Sequence, residues 1–166
     1  MVGKGHINTA LTLRNIGLVY WLKGAYDEAI RYYELCLGIQ EKNRGQGSYD
    51  TALTLRNMGL VYWSKGNYDI TIKYYQLCLD IQERVKGKGS IETAPTLNNI
   101  GLVYWRKGSY DLAIKYYQLC LEIQEKVKGK GSIDTTSTIS NIGLVYCNKG
   151  SNDEAMKYFE HSLEIL

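Results

Sequence analysis

A chain of 166 residues with 20 Lys and Arg against 17 Asp and Glu has a net charge of +3, spread evenly, which is too little to draw nucleic acid by bulk attraction. No apolar run approaches the roughly 18 residues that span a bilayer, and no signal-peptide pattern precedes the first periodic segment. No membrane partner and no specific nucleic acid are therefore expected.

Sliding the sequence by 42 residues aligns nearly all of it with itself, as repeats 9–50, 51–92, 93–134 and 135–166. The second and third copies differ at only ten of 42 positions, and self-similarity at such a period marks a repeat architecture. Residues 1–8 come first. "GKGHIN" at 3–8 matches "GKGSIE" at 87–92, so this segment reads as the tail of an inter-repeat loop.

Each repeat then holds two periodic runs, divided by Gly24, Gly66, Gly108 and Gly150. In the first run Leu13, Ile16, Gly17 and Tyr20 recur at spacings of one helical face, and in the second Tyr26, Ala29, Ile30, Tyr33, Cys36, Leu37 and Gln40 do the same. Asn67, Ser109 and Ser151 stand where N-caps of the second helix belong, with Glu154 completing a capping box after Ser151. Pro95 falls in a first turn, where its missing amide costs little. "VKGKGS" supplies a left-handed C-cap glycine after the second helix and a polar link. Gly17, Gly59, Gly101 and Gly143 sit inside helices, at about 1 kcal/mol each relative to alanine. Close packing on the paired helix is the expected return, with Ala29, Ala113 and Ala155 as the other small surface and Tyr33, Tyr75, Tyr117 and Phe159 filling larger volumes.

The order Leu13, Ile16, Gly17, Tyr20, Gly24, Tyr26, Ala29, Tyr33, Cys36 resembles the tetratricopeptide repeat signature, over the whole chain, with cysteine where alanine is usual. The family's repeat is commonly 34 residues. The extra eight here, with "IQEKVKGKGSIDT" in place of a proline, resemble the 42-residue repeats of kinesin light chains and related scaffolds. The fold class this implies is all-α, a right-handed α-solenoid of four antiparallel helix pairs, about eight helices in a single array over 1–166.

Chemistry is sparse. His6 and His161 lie at opposite ends, and "GKGS" lacks the direct Gly-Lys-Ser order and preceding strand of a phosphate loop. Cys36, Cys78 and Cys120 recur one repeat apart, too far to bridge, and read as small buried side chains; Cys147 replaces a tryptophan. Free thiols point to a cytoplasmic location. Lys86, Lys88, Lys128 and Lys130 make only a modest basic ridge. No enzyme activity, cofactor or metal is implied.

A second stripe of the first helix is left over: Leu11, Arg14, Leu18 and Trp21, with Asn15 beside it. It repeats as Leu53, Arg56, Asn57, Leu60, Trp63, then Pro95, Asn98, Asn99, Leu102, Trp105, then Ser137, Ser140, Asn141, Leu144, Cys147. The family resemblance implies that this stripe lines a concave peptide groove. Arg14 and Arg56 offer forks that match carboxylates. Asn15, Asn57, Asn99 and Asn141 could hold a peptide backbone or bond a neighbouring repeat. The tryptophans could anchor a partner or pack between repeats. The expected ligand is a short peptide with an acidic residue and an apolar anchor, the alternative being a purely structural array. Leucine at Leu18, Leu60 and Leu102 disfavours chaperone C-termini. Ser137, Ser140 and Cys147 suggest that the groove fades in the last repeat. The sequence starts as though a repeat had just ended and stops inside a second helix with no polar cap, so a longer chain, or end-to-end self-association through uncapped repeats, is also expected.

Overall fold

The protein is described by a computed structural model over residues 3–44 and 47–166, with the side chains of 3–7 and 44 left out of the description. The two runs of every repeat are helices: α1 Gly3–Leu22 and α2 Tyr26–Arg44, α3 Tyr49–Ser64 and α4 Tyr68–Lys86, α5 Ala94–Arg106 and α6 Tyr110–Lys128, α7 Thr136–Lys149 and α8 Asn152–Ile165. Short 3-10 turns, Ile91–Thr93 and Ile133–Thr135, lead into α5 and α7, and the described residues include no strand. The helices gather into two compact units, Met1–Lys86 with α1 to α4 and Gly87–Leu166 with α5 to α8. In each unit both helix pairs pack internally, and the second helix of one pair lies on the first helix of the next, α2 on α3 and α6 on α7.

The turn within each pair is a Schellman motif closed by the end of the "GLVYW" stretch. After α3, the Gly66 amide donates to the Trp63 carbonyl and the Asn67 amide to the Tyr62 carbonyl, both at 2.9 Å. The same two bonds recur at Gly24 and Ala25, Gly108 and Ser109, and Gly150 and Ser151. Gly150, at φ 83° and ψ 10°, takes the left-handed conformation the motif needs and a side chain resists. The left-handed cap thus closes the first helix. After α6 the capping glycine is Gly129 at φ 92° and ψ 150°, outside the left-handed helical region, so the expected left-handed cap does not form there.

The Schellman turn also decides the next N-cap. Asn67 caps α4, its Oδ1 accepting from the Ile70 amide at 3.3 Å. Ser109 and Ser151, held at ψ 66° and 68° by the turn they complete, make no side-chain cap. The expected capping box is absent, and Glu154 instead accepts from Lys157 at 3.3 Å. Pro95 does sit in the first turn of α5. Residues 3–8, read from sequence as a loop, belong to α1. Gly3 and Gly5 align with Gly87 and Gly89, which turn at φ 92° and 78°; glycine tolerates either state, and here the helix propagates through. Residues 1 and 2 of that segment lie outside the described residues.

The helical glycines meet aromatic rings rather than the alanines. A methyl added to Gly17, Gly59, Gly101 or Gly143 would lie 2.8, 2.5, 2.9 or 2.8 Å from a ring atom of Tyr33, Tyr75, Tyr117 or Phe159. The tyrosine rings at these positions are fully buried, and Ala29, Ala113 and Ala155 pack one turn earlier on the same helices. A second layer closes each pair, in which Tyr20 stacks on Tyr32, Tyr62 on Tyr74, Tyr104 on Tyr116 and Tyr146 on Tyr158, with centroids 5.2 to 5.5 Å apart. Offset ring pairs of this kind add about 0.5–1.5 kcal/mol beyond burial.

Two glycine substitutions should therefore move stability in opposite directions. Gly59→Ala overpacks against Tyr75 and is expected to lose about 1–3 kcal/mol in urea unfolding, despite alanine's better helix propensity. Gly38→Ala, in α2 with no atom within 4 Å of the added methyl, should gain about 0.5–1 kcal/mol.

Candidate protein-interaction face

In the first unit the stripe Arg14, Asn15, Leu18, Trp21 lies on α1 and Arg56, Asn57, Leu60, Trp63 on α3, and these two helices touch. Leu11 and Leu18 are 47% and 39% exposed, an apolar surface that the core has not taken up. Arg14 and Arg56 are half-buried, and neither forms an ion pair among the described residues. Acidic residues are nearly absent from the four first helices: α1, α5 and α7 have none, and α3 has only Asp50, in its first turn. Negative charge sits instead on the second helices and links. A half-buried guanidinium without a carboxylate beside it is a site that favours an anionic group from outside.

The tryptophans are committed to the fold. Trp21 donates from Nε1 to Ser64 Oγ of the next repeat at 2.9 Å, and Trp105 to Asn148 Oδ1 at 2.6 Å. Their rings pack on the clusters of Ala29, Tyr33, Met58 and Val61, and of Ala113, Tyr117, Ile142 and Val145. Trp63 leans on Tyr68 with centroids 5.2 Å apart. An anchor for a partner would have to use the ring edge that this packing leaves open.

The asparagines divide as well. Asn57 is hydrogen-bonded to the Tyr33 hydroxyl of the preceding repeat. Asn141, its equivalent in the second unit, reaches Asn98 Oδ1 at 3.4 Å instead, and the buried Tyr117 hydroxyl is left without a partner. Asn15 is exposed and Asn99 half-buried. In the second unit Asn98 on α5 and Asn141 on α7 border an open cleft of about 430 Å³, also lined by Pro95, Gln124 and Ser137, whereas Asn99 and Leu102 do not line it. Proline and serine there replace the leucines Leu11 and Leu53 of the first unit. The surface in the last two repeats is thus hollowed where these leucines are replaced. A cleft of this kind is set by the size of replaced side chains, a signal the sequence did carry.

Cys36, Cys78 and Cys120 are buried and structural, whereas Cys147 is exposed. Cys36 donates to the Ala10 carbonyl at 3.1 Å and Cys120 to the Ala94 carbonyl at 3.3 Å, each near a threonine of the next repeat. Burial raises both thiols' pKa, which keeps them protonated and unreactive. Of the four lysines in the expected ridge, Lys86 lies over the Tyr49 ring and Lys128 near Asp134. Among the described residues, no cluster of His, Cys, Asp or Glu could hold a metal ion, and no helix is long and apolar enough to cross a membrane.

The tetratricopeptide repeat family model matches residues 2–42, 50–126 and 92–166, and the chain belongs to that family. No curated protein matches it. Solved structures with the same fold include BtubC (BKLC) from P. vanneervenii, 23% identical with a TM-score of 0.85 over 94% of this chain and 62% of that one. MamA is 25% identical with a TM-score of 0.71, over 95% of this chain and 78% of its own. The kinesin-light-chain-type, nearly identical TPR-like repeats of Podosopora anserina share 16% identity and a TM-score of 0.78, over 93% and 73%. The chain thus spans a little under two thirds of the BtubC chain. The fold is a TPR-like solenoid of helix pairs, and repeats of this family serve as protein-interaction scaffolds.

The two tyrosines separate hydrogen bonding from burial. Tyr33→Phe should cost about 0.5–1.5 kcal/mol, since it strips Asn57 of its partner, whereas Tyr117→Phe removes an orphaned hydroxyl and should be neutral or stabilising. Burial pushes the Tyr33 phenol up to about 12, against the opposing Asn57 hydrogen bond and Arg14 charge. A folded-state value above the unfolded one means stability fully present below pH 10 and lost as pH rises toward 12. Urea unfolding across that window should fall less steeply for Tyr33→Phe than for the wild type.

Proposed function

We propose that this is a non-catalytic scaffold of the 42-residue, kinesin-light-chain-like class, acting in the cytoplasm, whose first-helix face binds a short peptide carrying a carboxylate next to an apolar side chain. The observation that carries the reading is the pair of half-buried, carboxylate-free guanidiniums of Arg14 and Arg56, on touching helices almost without acidic residues. Leu18 and Leu60, one turn further along α1 and α3, supply the apolar side of the same surface. Asn15 is the amide best placed to meet a peptide backbone, because Asn57 and Asn141 are already engaged within the fold. In the second unit Asn98 and Asn141 beside the cleft offer amides to another part of the ligand, with Asn99 and Leu102 on the same helix as Asn98. The hydrogen bonds of Trp21 and Trp105 favour the structural reading for those two rings, which leaves arginine, not tryptophan, as the source of specificity.

A fluorescence titration with a library of acidic and charge-neutral peptides tests this. Arg14→Ala with Arg56→Ala should weaken acidic peptides about tenfold or more and flatten the salt dependence, with the circular dichroism spectrum unchanged. Equal affinity in the variant, or no preference for acidic over neutral peptides, would contradict the assignment.

A further inference from the structure

The repeat interface uses a fixed set of partners, and one half of that set is exposed on α1 and the other on α8. Where α6 meets α7, Ile142 and Val145 pack against Ala113, Ile114 and Tyr117. Where α2 meets α3, Met58 and Val61 do the same against Ala29 and Tyr33. The α1 equivalent of Val61 and Val145 is Val19, which is 49% exposed although both of those are fully buried. On α8 the equivalent of Ile114 is Met156, 56% exposed against 7%, and that of the half-buried Leu121 is Leu163, 73% exposed.

The polar partners match too. In both units an aspartate in the first turn of the second helix pairs with the lysine ending the next first helix, Asp27 with Lys65 at 2.6 Å and Asp111 with Lys149 at 2.5 Å. By the same register Asp153 on α8 calls for Lys23 after α1, and neither forms an ion pair among the described residues. The interface hydrogen bond from Trp21 to Ser64, or from Trp105 to Asn148, has as its corresponding positions Cys147 and Leu22. Donor and acceptor have both become apolar together, so joining the two faces would strand no indole N–H.

We infer that the α8 face of one copy docks on the α1 face of a second copy, reproducing the repeat interface with Leu163 and Met156 against Val19 and Leu22 and with Asp153 paired to Lys23. Such a contact is heterologous, since the two surfaces differ, so it propagates head to tail and does not stop at a dimer. It rests on repeat packing and is independent of peptide binding by Arg14 and Arg56.

Sedimentation of the 166-residue chain over a range of concentrations should show a mass that keeps rising past the dimer. Leu163→Glu and Val19→Glu, both at exposed sites, should each leave a folded monomer, with the association constant lowered about tenfold or more. Mixing the two variants should restore a species that ends at the dimer, because one intact face survives on each. A wild type that stays monomeric, variants that still polymerise, or a mixture that forms no dimer would overturn the inference.

Discussion

The contact between a helical glycine and the aromatic ring of the paired helix is what the rest of this structure depends on. At Gly17, Gly59, Gly101 and Gly143 the missing side chain lets a ring lie where a methyl would collide, so the two helices of each pair come together at one depth and rotation. That placement stacks the second tyrosine pair on the same hairpin. It also sets the turn, because the carbonyls of the residues that follow, Tyr62 and Trp63 in the second repeat, accept the two Schellman bonds. A glycine unfavourable for an isolated helix thereby specifies the hairpin, and with it the side of the first helix that stays open.

Once that face is fixed, its residues divide by what the next repeat takes from them. Val61 and Val145 are used between repeats by burial, and Trp21 and Trp105 by a hydrogen bond to a residue 43 positions on. One turn away in the first unit, Leu18 is exposed and Leu60, Arg14 and Arg56 are half-buried. The scarcity of acid on the first helices then matters more than the small net charge, since the local field around Arg14 and Arg56 is set by immediate neighbours at physiological salt. In the second unit the same positions carry Asn98 and Ser140, and a cleft without arginine opens beside Asn98.

Most of the fold was legible because four near-copies show which positions are held together: glycine, tyrosine and cysteine recur at one register, and each has a defined contact. What escaped depended on geometry. Ser109 and Ser151 are residues of the right type for caps, but the preceding turn fixes their backbone before the side chain can reach an amide. Gly3 and Gly5 look like loop glycines and lie in a helix, since glycine accepts both states. At the candidate site, sequence found the stripe and left the roles of tryptophan and asparagine open. The partners that decide them, Ser64, Asn148 and Tyr33, belong to neighbouring repeats and become neighbours only after stacking.

In the proposed division of labour, arginine and leucine of the first helices meet a partner while tyrosine and tryptophan hold the repeats. Amide and arginine Nε chemical shifts of the labelled protein, followed as an acidic-apolar peptide is added, address it directly. Perturbations concentrated at Arg14, Asn15, Leu18, Arg56 and Leu60, with saturation, are expected. Shifts centred instead on the exposed leucines of the second helices, Leu35, Leu77 and Leu119, would contradict it.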